Sequence, residues 1–489
     1  MVWMMNQREA AEQAIADTRA VLTEGLSLRD PVTLGARLGD LARSNGLLAL
    51  EANLKSLEHY SRVAHVGRQP TRALTFTALA ADILGGYLAL ARRSRLWGRL
   101  AQPQDWEWQH ERSAARVRDT AARLRGALIK ACQFASTRPD ILPPAYTRAF
   151  ATLQDAVPAT SWRDIRCAIA QELGRPPEAV FARIERYPIA SASIAQVHRA
   201  WLRDGRAVAV KVQYPDIAGI MATDLKVLQY IVRGVAEFVP DVQLQPIVDH
   251  LKETLPLELD FAREARAMTA LRQALRGRDD VLIPAAIPEL STRRLLVMEY
   301  VEGVKINDRA GLERAGIDPS ALARLINDVY AEQIFRLGWL HADPHPGNLL
   351  AQARPGAGPR LVLLDHGLTV PLDPALVAAI SEMVSALLQG DFERLTRALQ
   401  SAGVRLDERL GGATLLQLVG VLLGNEQEGA SAAQVGQRLG KSIGHIPTSL
   451  ILIGRALGLL DGVTKQLDPN LNALEAISGY VAREEEVSA

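Results

Sequence analysis

Cysteine and aromatic side chains are scarce in this chain, and its charges nearly cancel. The 489 residues include 2 cysteines, neither of them in a CxxC pair, which argues against a disulfide framework or a cysteine zinc cluster and indicates a reducing compartment. Because 56 basic residues balance 55 acidic ones, no broad polyanion-binding surface is implied and nucleic acid is not an expected partner. The aromatic content of 5%, with many alanines, leucines and arginines, indicates a mostly helical protein.

A secretory signal is also lacking at the amino terminus. No basic stretch is followed there by an apolar core and a small-residue cleavage site, so a cytoplasmic location is expected. The segment Leu74–Ala91 is about long enough to cross a bilayer, and arginines follow it. Asp82 lies at its centre and would cost about 3 kcal/mol inside a membrane. We therefore favour a buried or membrane-surface helix, in a protein that is cytoplasmic or peripheral at the inner face of the membrane.

The length of the chain predicts more than one packed unit, because a single hydrophobic core stops growing below this size. We find no internal repeat. The hydrophobic pattern predicts four regions in order: a variable helical region at 1–110, a helical extension at 111–178, a sheet-bearing lobe at 179–303 and a helical lobe at 304–489. Within the last region, only the run LVLLDHG is expected to be extended.

A β-hairpin is predicted around Asp204 and Gly205, which separate two β-rich runs. The second run, RAVAVKVQ, places Lys211 as the one ammonium on an otherwise apolar strand. Two interpretations remain open for this lysine. Its stem can lie along the sheet while its head reaches water, or it can bind phosphate while a carboxylate holds it.

Candidate acids for that lysine occur in the segment LPLELDFAREARAM. Asp260 and Glu264 stand four residues apart, on one face of a predicted helix, while Glu258 points elsewhere. A solvated acidic face is the alternative interpretation. Further along the chain, a loop with Asp343 and Asn348 (HADPHPGN) precedes an extended run that ends in Asp365 (LLDHG).

The order of these signals follows the logic of a protein-kinase-like phosphotransferase. In such enzymes a strand lysine and a helix glutamate orient phosphates, while an Asp/Asn loop and a later Asp-x-Gly supply a base and metal ligands. Asp343 is then the base or proton acceptor, and Asn348 and Asp365 are oxygen ligands of Mg²⁺. In this scheme His341 and His345 are framework donors rather than ligands.

These motifs together resemble the UbiB/AarF (ADCK, ABC-one) family of atypical kinases. The resemblance covers roughly residues 115–400. It rests on the segments LIKACQFASTRPDILPPAY, LQDAVP, PIASASIAQVH, VAVKVQYP, ELDFAREA, MEYVEG, HADPHPGN and LLDHG. It implies an α+β, protein-kinase-like bilobal fold with a small β-bearing N-lobe, a helical C-lobe and a family-specific N-terminal helical extension.

The resemblance implies a role for individual residues and the cofactors ATP (or ADP) and Mg²⁺. Lys211 is the expected nucleotide-phosphate lysine, Glu264 its ion-pair partner and Asp343 the catalytic-loop aspartate, while Asn348 and Asp365 bind the metal. Other expected nucleotide contacts and regulatory positions come from four further motifs. These are the nucleotide loop with Ala190, Ser191, Ala192, Ser193, Ile194, Ala195 and Val197; the adenine hinge Met298–Val301 with Glu299 and Val301; the KxGQ motif with Lys130 and Gln133; and the ExD pair Glu258 and Asp260.

The sequence departs from the family pattern in three motifs. Cys132 replaces the glycine of KxGQ, on a helix that in the family lies over the catalytic cleft and obstructs protein substrates. In the nucleotide loop, Ser191 replaces an alanine and Ala195 a glycine, which predicts a stiffer loop with its backbone slightly farther from the phosphates. His366 stands where phenylalanine is commoner, and the ligand Asp365 is kept.

An ATP-dependent atypical kinase or ATPase is the function that these features predict. The expected reaction is phosphoryl transfer to a small or lipid-like acceptor, or ATP hydrolysis, and the resemblance implies a role in ubiquinone or other isoprenoid-lipid metabolism. A membrane surface and lipid-biosynthesis proteins are the expected partners. The alternative is a nucleotide-binding pseudokinase that acts as a regulatory or assembly module. A metallohydrolase built on His341, Asp343 and His345 is disfavoured, because Pro344 and Pro346 prevent a regular strand there. The sequence leaves the acceptor and the oligomeric state open.

Overall fold

A computed structural model describes residues 102–136, 142–154, 159–238, 244–354, 356–406, 443–445, 447–471 and 479–480, with scattered positions between 72 and 90. Helices and small sheets make up these residues, as the predicted α+β class requires. Across these ranges, no helix has both the length and the apolar character needed to cross a bilayer. The candidate segment Leu74–Ala91 lies partly outside the described residues.

The regular elements are numbered along the chain. The helices are α1 (Pro103–Leu124), α2 (Ala127–Ser136), α3 (Pro144–Ala151), α4 (Trp162–Leu173), α5 (Pro177–Val180), α6 (Ile217–Phe238), α7 (Gln245–Glu258), α8 (Phe261–Ala274), α9 (Arg309–Arg314), α10 (Pro319–Ala331), α11 (Pro374–Gln389), α12 (Phe392–Ser401) and α13 (Thr448–Leu467), with a π-helical turn at Glu332–Arg336. The strands are β1 (Phe181–Ile184), β2 (Ala190–Ser191), β3 (Ala195–Leu202), β4 (Ala207–Gln213), β5 (Val281–Leu282), β6 (Leu295–Glu299), β7 (Val304–Lys305), β8 (Trp339–His341), β9 (Leu349–Gln352), β10 (Arg360–Leu363), β11 (Thr369–Pro371), β12 (Arg405–Leu406) and β13 (Ile443–His445).

The described residues form two compact units. The first unit takes its residues from Met1–Ala159, Ser191–Ala195 and Tyr214–Pro256, and the second from Thr160–Ala190, Gln196–Gln213 and Leu257–Ala489. The first unit thus groups α6 and most of α7 with the N-terminal helices. The four regions predicted from the sequence, with boundaries at 110, 178 and 303, stay a prediction.

The main sheet of the second unit carries the predicted hairpin. Its strand order is β1-β3-β4-β6, with the short β2 paired to β3. Gly205 closes the turn between β3 and β4 with a φ of +89°, a conformation that glycine adopts without steric cost. In the antiparallel pairing of β4 with β6, Lys211 lies opposite Leu296. Strand β4 therefore runs between two neighbours, β3 and β6.

Short strands beyond Gly303 contradict the prediction of helix there. A second sheet has the order β5-β10-β9-β7, and β8 pairs with β11 in a separate two-stranded ribbon. Strand β10 overlaps the first three residues of the predicted LVLLDHG run, but β7, β8, β9, β11, β12 and β13 were not predicted. The missed strands have two to four residues each, and such short runs give too little periodicity to distinguish a strand from a helix.

A hydrophobic core fixes α13 next to the β8 strand. Leu340 of β8 and Ala342 just after it belong to one buried cluster with Ile453 and Ala456 of α13. Residues of α11 and α12 complete this cluster. Because Ala342 immediately precedes Asp343, the core also fixes the start of the HADPHPGN loop.

In the first unit, a buried aspartate joins α6 to the start of α2. Asp224 is fully buried, and one of its oxygens accepts hydrogen bonds from the Arg72 guanidinium at 2.7 Å and the Ala127 amide at 3.1 Å. Burial raises the pKa of Asp224 above its usual range, while Arg72 opposes that shift. This contact anchors the first turn of α2, the helix that carries Lys130 and Gln133.

Candidate active site

Lys211 lies at the centre of a three-residue ionic cluster in the second unit. Its Nζ is 2.8 and 3.0 Å from the two carboxylate oxygens of Glu264 and 2.9 Å from Oδ2 of Asp365. These partners lie 53 and 154 positions away in the chain. The centroid of the Phe261 ring lies 5.0 Å from Nζ of Lys211. Carboxylates therefore hold the Lys211 ammonium, as the second of the two interpretations requires.

The ionisation of the cluster follows from burial and from the two ion pairs. Burial alone would lower the pKa of Lys211, but Asp365 and Glu264 outweigh it and raise that pKa above its usual range. Burial raises the pKa of Glu264 to about 7, against the lowering effect of Lys211. Lys211 therefore stays an ammonium at neutral pH. The Asp365 side chain is 42% exposed, so the cluster opens to solvent on its side.

Glu264 is positioned by the first turn of α8, whose start corrects one prediction. Asp260 does not share a helix face with Glu264, because it is the N-cap of α8 and accepts a hydrogen bond from the Arg263 amide at 2.9 Å. An aspartate side chain satisfies a free N–H of a helix start well, so the chain breaks between α7 and α8 at this point. Glu258 is the last residue of α7.

Arg263 ties α8 to the segment after Asp365. Its guanidinium donates to the carbonyl oxygens of Gly367 and Thr369, each at 2.7 Å. The amide of His366 donates to Glu264 at 3.2 Å. Sequence reasoning missed Arg263 as a site residue, although it lies inside the ELDFAREA motif next to Glu264. That motif thus supplies a cap, a lysine partner and the arginine that holds the Asp-His-Gly turn.

Asn348 and Asp365 flank the same end of the β9–β10 ladder. The Leu364 amide donates to the backbone oxygen of Asn348 at 3.0 Å. The Nδ2 of Asn348 donates to Oδ2 and to the backbone oxygen of Asp343, both at 3.1 Å. Since both side-chain bonds use the nitrogen, the amide oxygen of Asn348 is the atom that a cation would use.

The predicted metal ligands have donors that fit Mg²⁺. An amide oxygen from Asn348 and a half-exposed carboxylate from Asp365 are hard oxygen ligands, and Mg²⁺ usually takes one or two carboxylates and completes its shell with water and substrate phosphates. Among the described residues, no group of three or more His, Cys, Asp or Glu is arranged to hold a metal ion. The donor set thus suits a metal that arrives with a phosphate.

Asp343 is held from two sides. Asn348 donates to its Oδ2, and Nη2 of Arg455 lies 3.3 Å from its Oδ1. Arg455 comes from α13, 112 positions along the chain. Sequence reasoning missed Arg455, and no sequence motif marks it, because the contact exists only after α13 packs on the core.

The histidines near the site make bonds within the protein framework. His341 contacts the Tyr330 hydroxyl through Nδ1 at 2.9 Å and the Asp365 carbonyl oxygen through Nε2. His366 contacts the Thr369 hydroxyl and the Leu363 carbonyl oxygen, both at 3.2 Å. Burial lowers the pKa of His341, and it lowers the pKa of His366 to about 3. Because both ring nitrogens of His341 and His366 contact protein groups, neither ring has a nitrogen free to bind zinc, which weakens the metallohydrolase alternative.

His345 contacts its own loop rather than the buried histidines. Its Nδ1 accepts a hydrogen bond from the Gly347 amide at 3.1 Å. The contact closes the short 3₁₀ turn Pro346–Asn348, which presents Asn348. His345 thus helps to shape the turn, as a framework residue would.

The predicted nucleotide loop is divided between the two units. Ala190 and Val197 belong to the second unit, and Ser191, Ala192, Ser193, Ile194 and Ala195 to the first. Within the first unit, Tyr214 fixes the loop: its hydroxyl contacts Ser191 Oγ at 2.7 Å and donates to the Ala192 carbonyl at 2.9 Å. Tyr214 lies in the quoted VAVKVQYP motif but was not predicted as a loop partner. The role of the loop toward a nucleotide stays a prediction.

The predicted hinge Met298–Val301 begins in the last two residues of β6 and continues beyond the strand. The amides of Glu299 and Tyr300 donate to the carbonyl oxygens of Ala285 and Ala207, at 2.8 and 3.1 Å. Val301 is the next residue. The role of Glu299 and Val301 in binding adenine stays a prediction.

The KxGQ motif lies on α2 in the first unit. Gln133 donates to the Leu153 carbonyl at 3.4 Å, and Lys130 is half-buried. Cys132 is 2% exposed, and burial raises the pKa of its thiol, so this cysteine fills space as an unreactive side chain. The regulatory role predicted for Lys130 and Gln133, like that for Glu258 and Asp260, stays a prediction.

Comparison with known proteins places these features in a family. The family model for the ABC1 atypical kinase-like domain matches residues 152–399. The chain is 32% identical over 385 residues to AarF domain-containing protein kinase 1 of Gallus gallus, covering 74% of this chain and 73% of that protein. It is 37% identical over 295 residues to the protein of that name in Xenopus tropicalis, covering 60% of this chain and 56% of that protein.

A solved structure supports the fold assignment. It is a complex of Rv3197 with erythromycin from Mycobacterium tuberculosis, with a TM-score of 0.50 and 24% identity, and the match covers 71% of this chain and 89% of that one. At this identity the likeness concerns the fold. Because the family model spans half of the sequence and contains every residue of the ionic cluster, the chain belongs to the family of ABC1 atypical kinase-like proteins.

Proposed function

We propose that this chain is an ATP-dependent atypical kinase or ATPase that transfers the γ-phosphoryl group of ATP to a small or lipid-like acceptor, or to water. The observation that carries the proposal is the position of the Lys211 ammonium, 2.8 Å from Glu264 and 2.9 Å from Asp365. A phosphate-binding lysine fixed by a helix glutamate beside a metal-binding aspartate is the arrangement that orients a nucleotide for transfer.

Each residue of the cluster has a role in the proposal. Lys211 binds nucleotide phosphates through the side that faces Asp365, and Glu264 keeps it in place. Val301 offers its backbone to adenine, because the preceding two amides are already bonded within the protein. Asn348 and Asp365 would hold Mg²⁺, which when bound neutralises charge on the phosphate oxygens.

The transfer step is a displacement at phosphorus. The acceptor oxygen forms a bond to the γ-phosphorus while the bond from phosphorus to the bridging oxygen breaks, and ADP leaves with that electron pair. The acceptor hydroxyl gives its proton to the Asp343 carboxylate. When the acceptor is water, the products are ADP and inorganic phosphate. Asp343 is suited to this role because Asn348 and Arg455 both hold its carboxylate.

The acceptor is proposed from the family resemblance. Family members are linked to ubiquinone and other isoprenoid-lipid metabolism, so the acceptor class is a phenol or a lipid-like hydroxyl. The protein would then act in the cytoplasm or peripherally at a membrane, with lipid-biosynthesis proteins as partners. Small or lipid-like acceptors are preferred to peptides because the family's N-terminal helix obstructs protein substrates.

The test is Mg²⁺-dependent ATP turnover by the purified chain, with and without liposomes and a quinone-precursor-like phenol. Asp365→Asn is the comparison variant, because it removes a metal-ligand charge and keeps the shape of the side chain. We expect the wild type to turn over ATP, a lipid or phenol to raise the rate, and the variant to lose several kcal/mol of transition-state stabilisation, on the order of a thousandfold in rate. Unchanged melting temperatures would show that the variant is folded.

Two outcomes would overturn the proposal. Equal rates in the wild type and Asp365→Asn would remove the metal site from the reaction. Tight nucleotide binding with no turnover, under every lipid and phenol condition, would instead identify a pseudokinase that acts as a regulatory or assembly module.

A further inference from the structure

The carboxylate of Asp343 has a cationic neighbour that comes from outside the matched family segment. Arg455 lies on α13, beyond the matched residues 152–399. Its Nη2 is 3.3 Å from Oδ1 of Asp343, and the two side chains are 17% and 33% exposed. The pair therefore lies at the edge of the buried core, where a small ligand can still reach it.

The position of Arg455 is set by core packing. Neighbouring α13 residues Ile453, Ala456 and Leu457 are buried in one cluster with Ala342, the residue before Asp343. A helix held in this way cannot turn about its axis without exposing its apolar face. The packed helix α13 therefore holds the guanidinium of Arg455 in a fixed position beside the HADPHPGN loop.

The guanidinium of Arg455 does not use all of its N–H donors within the described residues. It makes one ion-pair contact, to Asp343, and its buried Nε has no hydrogen-bond partner among the described residues. An arginine carries five N–H donors in a planar fork that matches phosphate geometry. Buried donors without partners are uncommon in folded proteins, and a catalytic role is one of the explanations for them.

The loop around Asp343 needs such a cation. No lysine or arginine occurs from Leu337 to Leu350. In the proposed function Lys211 binds the nucleotide phosphates beside Asp365, so it is not the cation of this loop. Phosphoryl transfer spreads negative charge over the three equatorial oxygens, and an arginine supplied in cis can stabilise that charge.

We infer that Arg455 is a catalytic residue of the proposed reaction, whose guanidinium binds the transferred phosphoryl group at the acceptor end of the site. This inference rests on the proposed function. In the free protein the guanidinium pairs with Asp343. When the acceptor hydroxyl donates to Asp343, the guanidinium donates to the oxygens of the phosphoryl group in transit, and Arg455 itself forms and breaks no covalent bond.

The kinetic test compares substitutions at Arg455 with a control on the same helix. Arg455→Gln removes the charge, and Arg455→Lys keeps it without the fork. Lys465→Gln is the matched control, because Lys465 pairs with Asp461 at 2.6 Å on α13 itself. We expect kcat to fall on the order of a thousandfold in Arg455→Gln and by less in Arg455→Lys, with KM for ATP unchanged. The control should keep the wild-type kcat.

Chemical rescue tests the role of the missing group directly. Arg455→Ala leaves a space that free guanidinium ion can enter. We expect low concentrations of guanidinium, well below those that unfold proteins, to restore part of the lost kcat. Wild-type enzyme and the Lys465→Gln control should show no such gain.

A binding measurement provides a readout that does not depend on turnover. Mg·ADP with aluminium fluoride mimics the phosphoryl group in transit, and Mg·ADP alone does not. Calorimetric titration should show tighter binding with fluoride in the wild type, and Arg455→Gln should lose that gain while keeping the affinity for Mg·ADP. Melting temperatures of Arg455→Gln and Arg455→Lys separate this effect from loss of folding.

The outcomes distinguish failure of this inference from failure of the proposed function. Wild-type kcat in Arg455→Gln, combined with loss of turnover in Asp365→Asn, would overturn the role of Arg455 alone. No turnover in the wild type would overturn the proposed function. In that case the titration still decides the role of Arg455, because equal gains from aluminium fluoride in the wild type and Arg455→Gln would overturn it too.

Discussion

Two cation-centred clusters in the second unit use the same chemistry for different purposes. In the first, Lys211 is shared between Glu264 and Asp365. In the second, Arg278 binds Asp280 through two parallel contacts of 2.7 and 2.9 Å. The two clusters differ in how fully the cation is used and in how burial acts on its partners.

The arginine cluster leaves little for a ligand. Beyond the Asp280 pair, Nη1 of Arg278 also contacts Asp328 at 2.9 Å and the buried Glu332 at 2.6 Å. These contacts join the segment after α8 to the end of α10. Exposure does not distinguish the two clusters, because Asp365 of the lysine cluster and Asp328 of the arginine cluster are each 42% exposed. The difference lies in the cation: Arg278 is shared among three carboxylates, whereas Lys211 is shared between two, one of which is the predicted metal ligand Asp365.

The carboxylates of the two clusters also respond to their surroundings in opposite directions. At Glu264 burial is the largest influence and raises the pKa to about 7. At Asp280 the hydrogen bonds from Arg278 dominate and lower the pKa below its usual range. The buried partner of Lys211 is thus close to neutralisation at physiological pH, and Asp280, the partner of Arg278, is not.

Loss of the lysine should give the largest effect. Lys211→Met removes the ammonium that we propose binds phosphate, so we expect ATP turnover to fall on the order of a thousandfold. The free energy of unfolding should fall by only about 1 to 2 kcal/mol, because Glu264 can take up a proton when its partner is gone. Steady-state turnover and urea unfolding measure the two effects.

A double variant provides the control for Lys211→Met. Lys211→Met with Glu264→Gln should recover part of the lost stability and none of the lost turnover. If Lys211→Met kept wild-type turnover, the functional half of the comparison would be wrong.

Loss of the arginine should give the opposite pattern. Arg278→Met removes a cation that three carboxylates share, and we expect the free energy of unfolding to fall by about 3 kcal/mol. Turnover measured well below the melting temperature should match the wild type. A large loss of turnover with unchanged stability would show that the Arg278 cluster is not merely structural.

The two clusters should contribute to stability with opposite dependence on pH. The folded-state pKa of Glu264, about 7, lies above its ordinary value of 4.5, so its contribution is full below pH 4.5 and is lost as the pH rises toward 7. The pKa of Asp280 is lowered from 3.8, so its contribution is present above that value and is lost as the pH falls. Urea unfolding across pH measures both.

Neutral substitutions separate the two contributions to that pH dependence. Through Glu264, the wild type should lose at most about 3 kcal/mol of unfolding free energy between pH 4.5 and 7. Glu264→Gln should not show this loss. Asp280→Asn should reduce only the loss in acid. Identical pH profiles for the two variants would contradict the contrast drawn from their surroundings.

The smallest expected effect comes from a change that keeps the charge. Arg278→Lys retains the cation but loses the planar fork that contacts Asp280 twice, so we expect a loss of about 1 kcal/mol. Thermal unfolding would detect it, with Arg394→Lys as the comparison, because the half-buried Arg394 contacts Glu382 through the same planar fork. A cost as large as that of Arg278→Met would mean that geometry, rather than charge, stabilises this cluster.

The parts of the molecule that the sequence predicted are those with local signals. The hairpin at Gly205 follows from turn chemistry, and the strand that holds Lys211 follows from alternating valines. The acidic partner Glu264 and the metal candidate Asp365 were identified by a fixed order of short motifs. That order constrains which elements must meet even when their separation in the chain is large.

The parts that the sequence did not predict depend on tertiary packing. Arg455 reaches Asp343 only because α13 packs on the core beside β8. Tyr214 holds the nucleotide loop through a contact that no spacing in the sequence marks. Asp260 was predicted to lie on one helix face with Glu264. It is instead the N-cap of α8, because its side chain bonds to the backbone at the helix start rather than continuing the helix.

The central claim is that Lys211, Asp365 and Asn348 form one site for a magnesium-bound nucleotide. Calorimetric titration of ATP into the wild type and Asp365→Asn, each with and without Mg²⁺, tests it most directly. We predict that Mg²⁺ tightens ATP binding to the wild type and that Asp365→Asn loses this gain while it keeps its metal-free affinity. Equal dependence on Mg²⁺ in both proteins would contradict the claim.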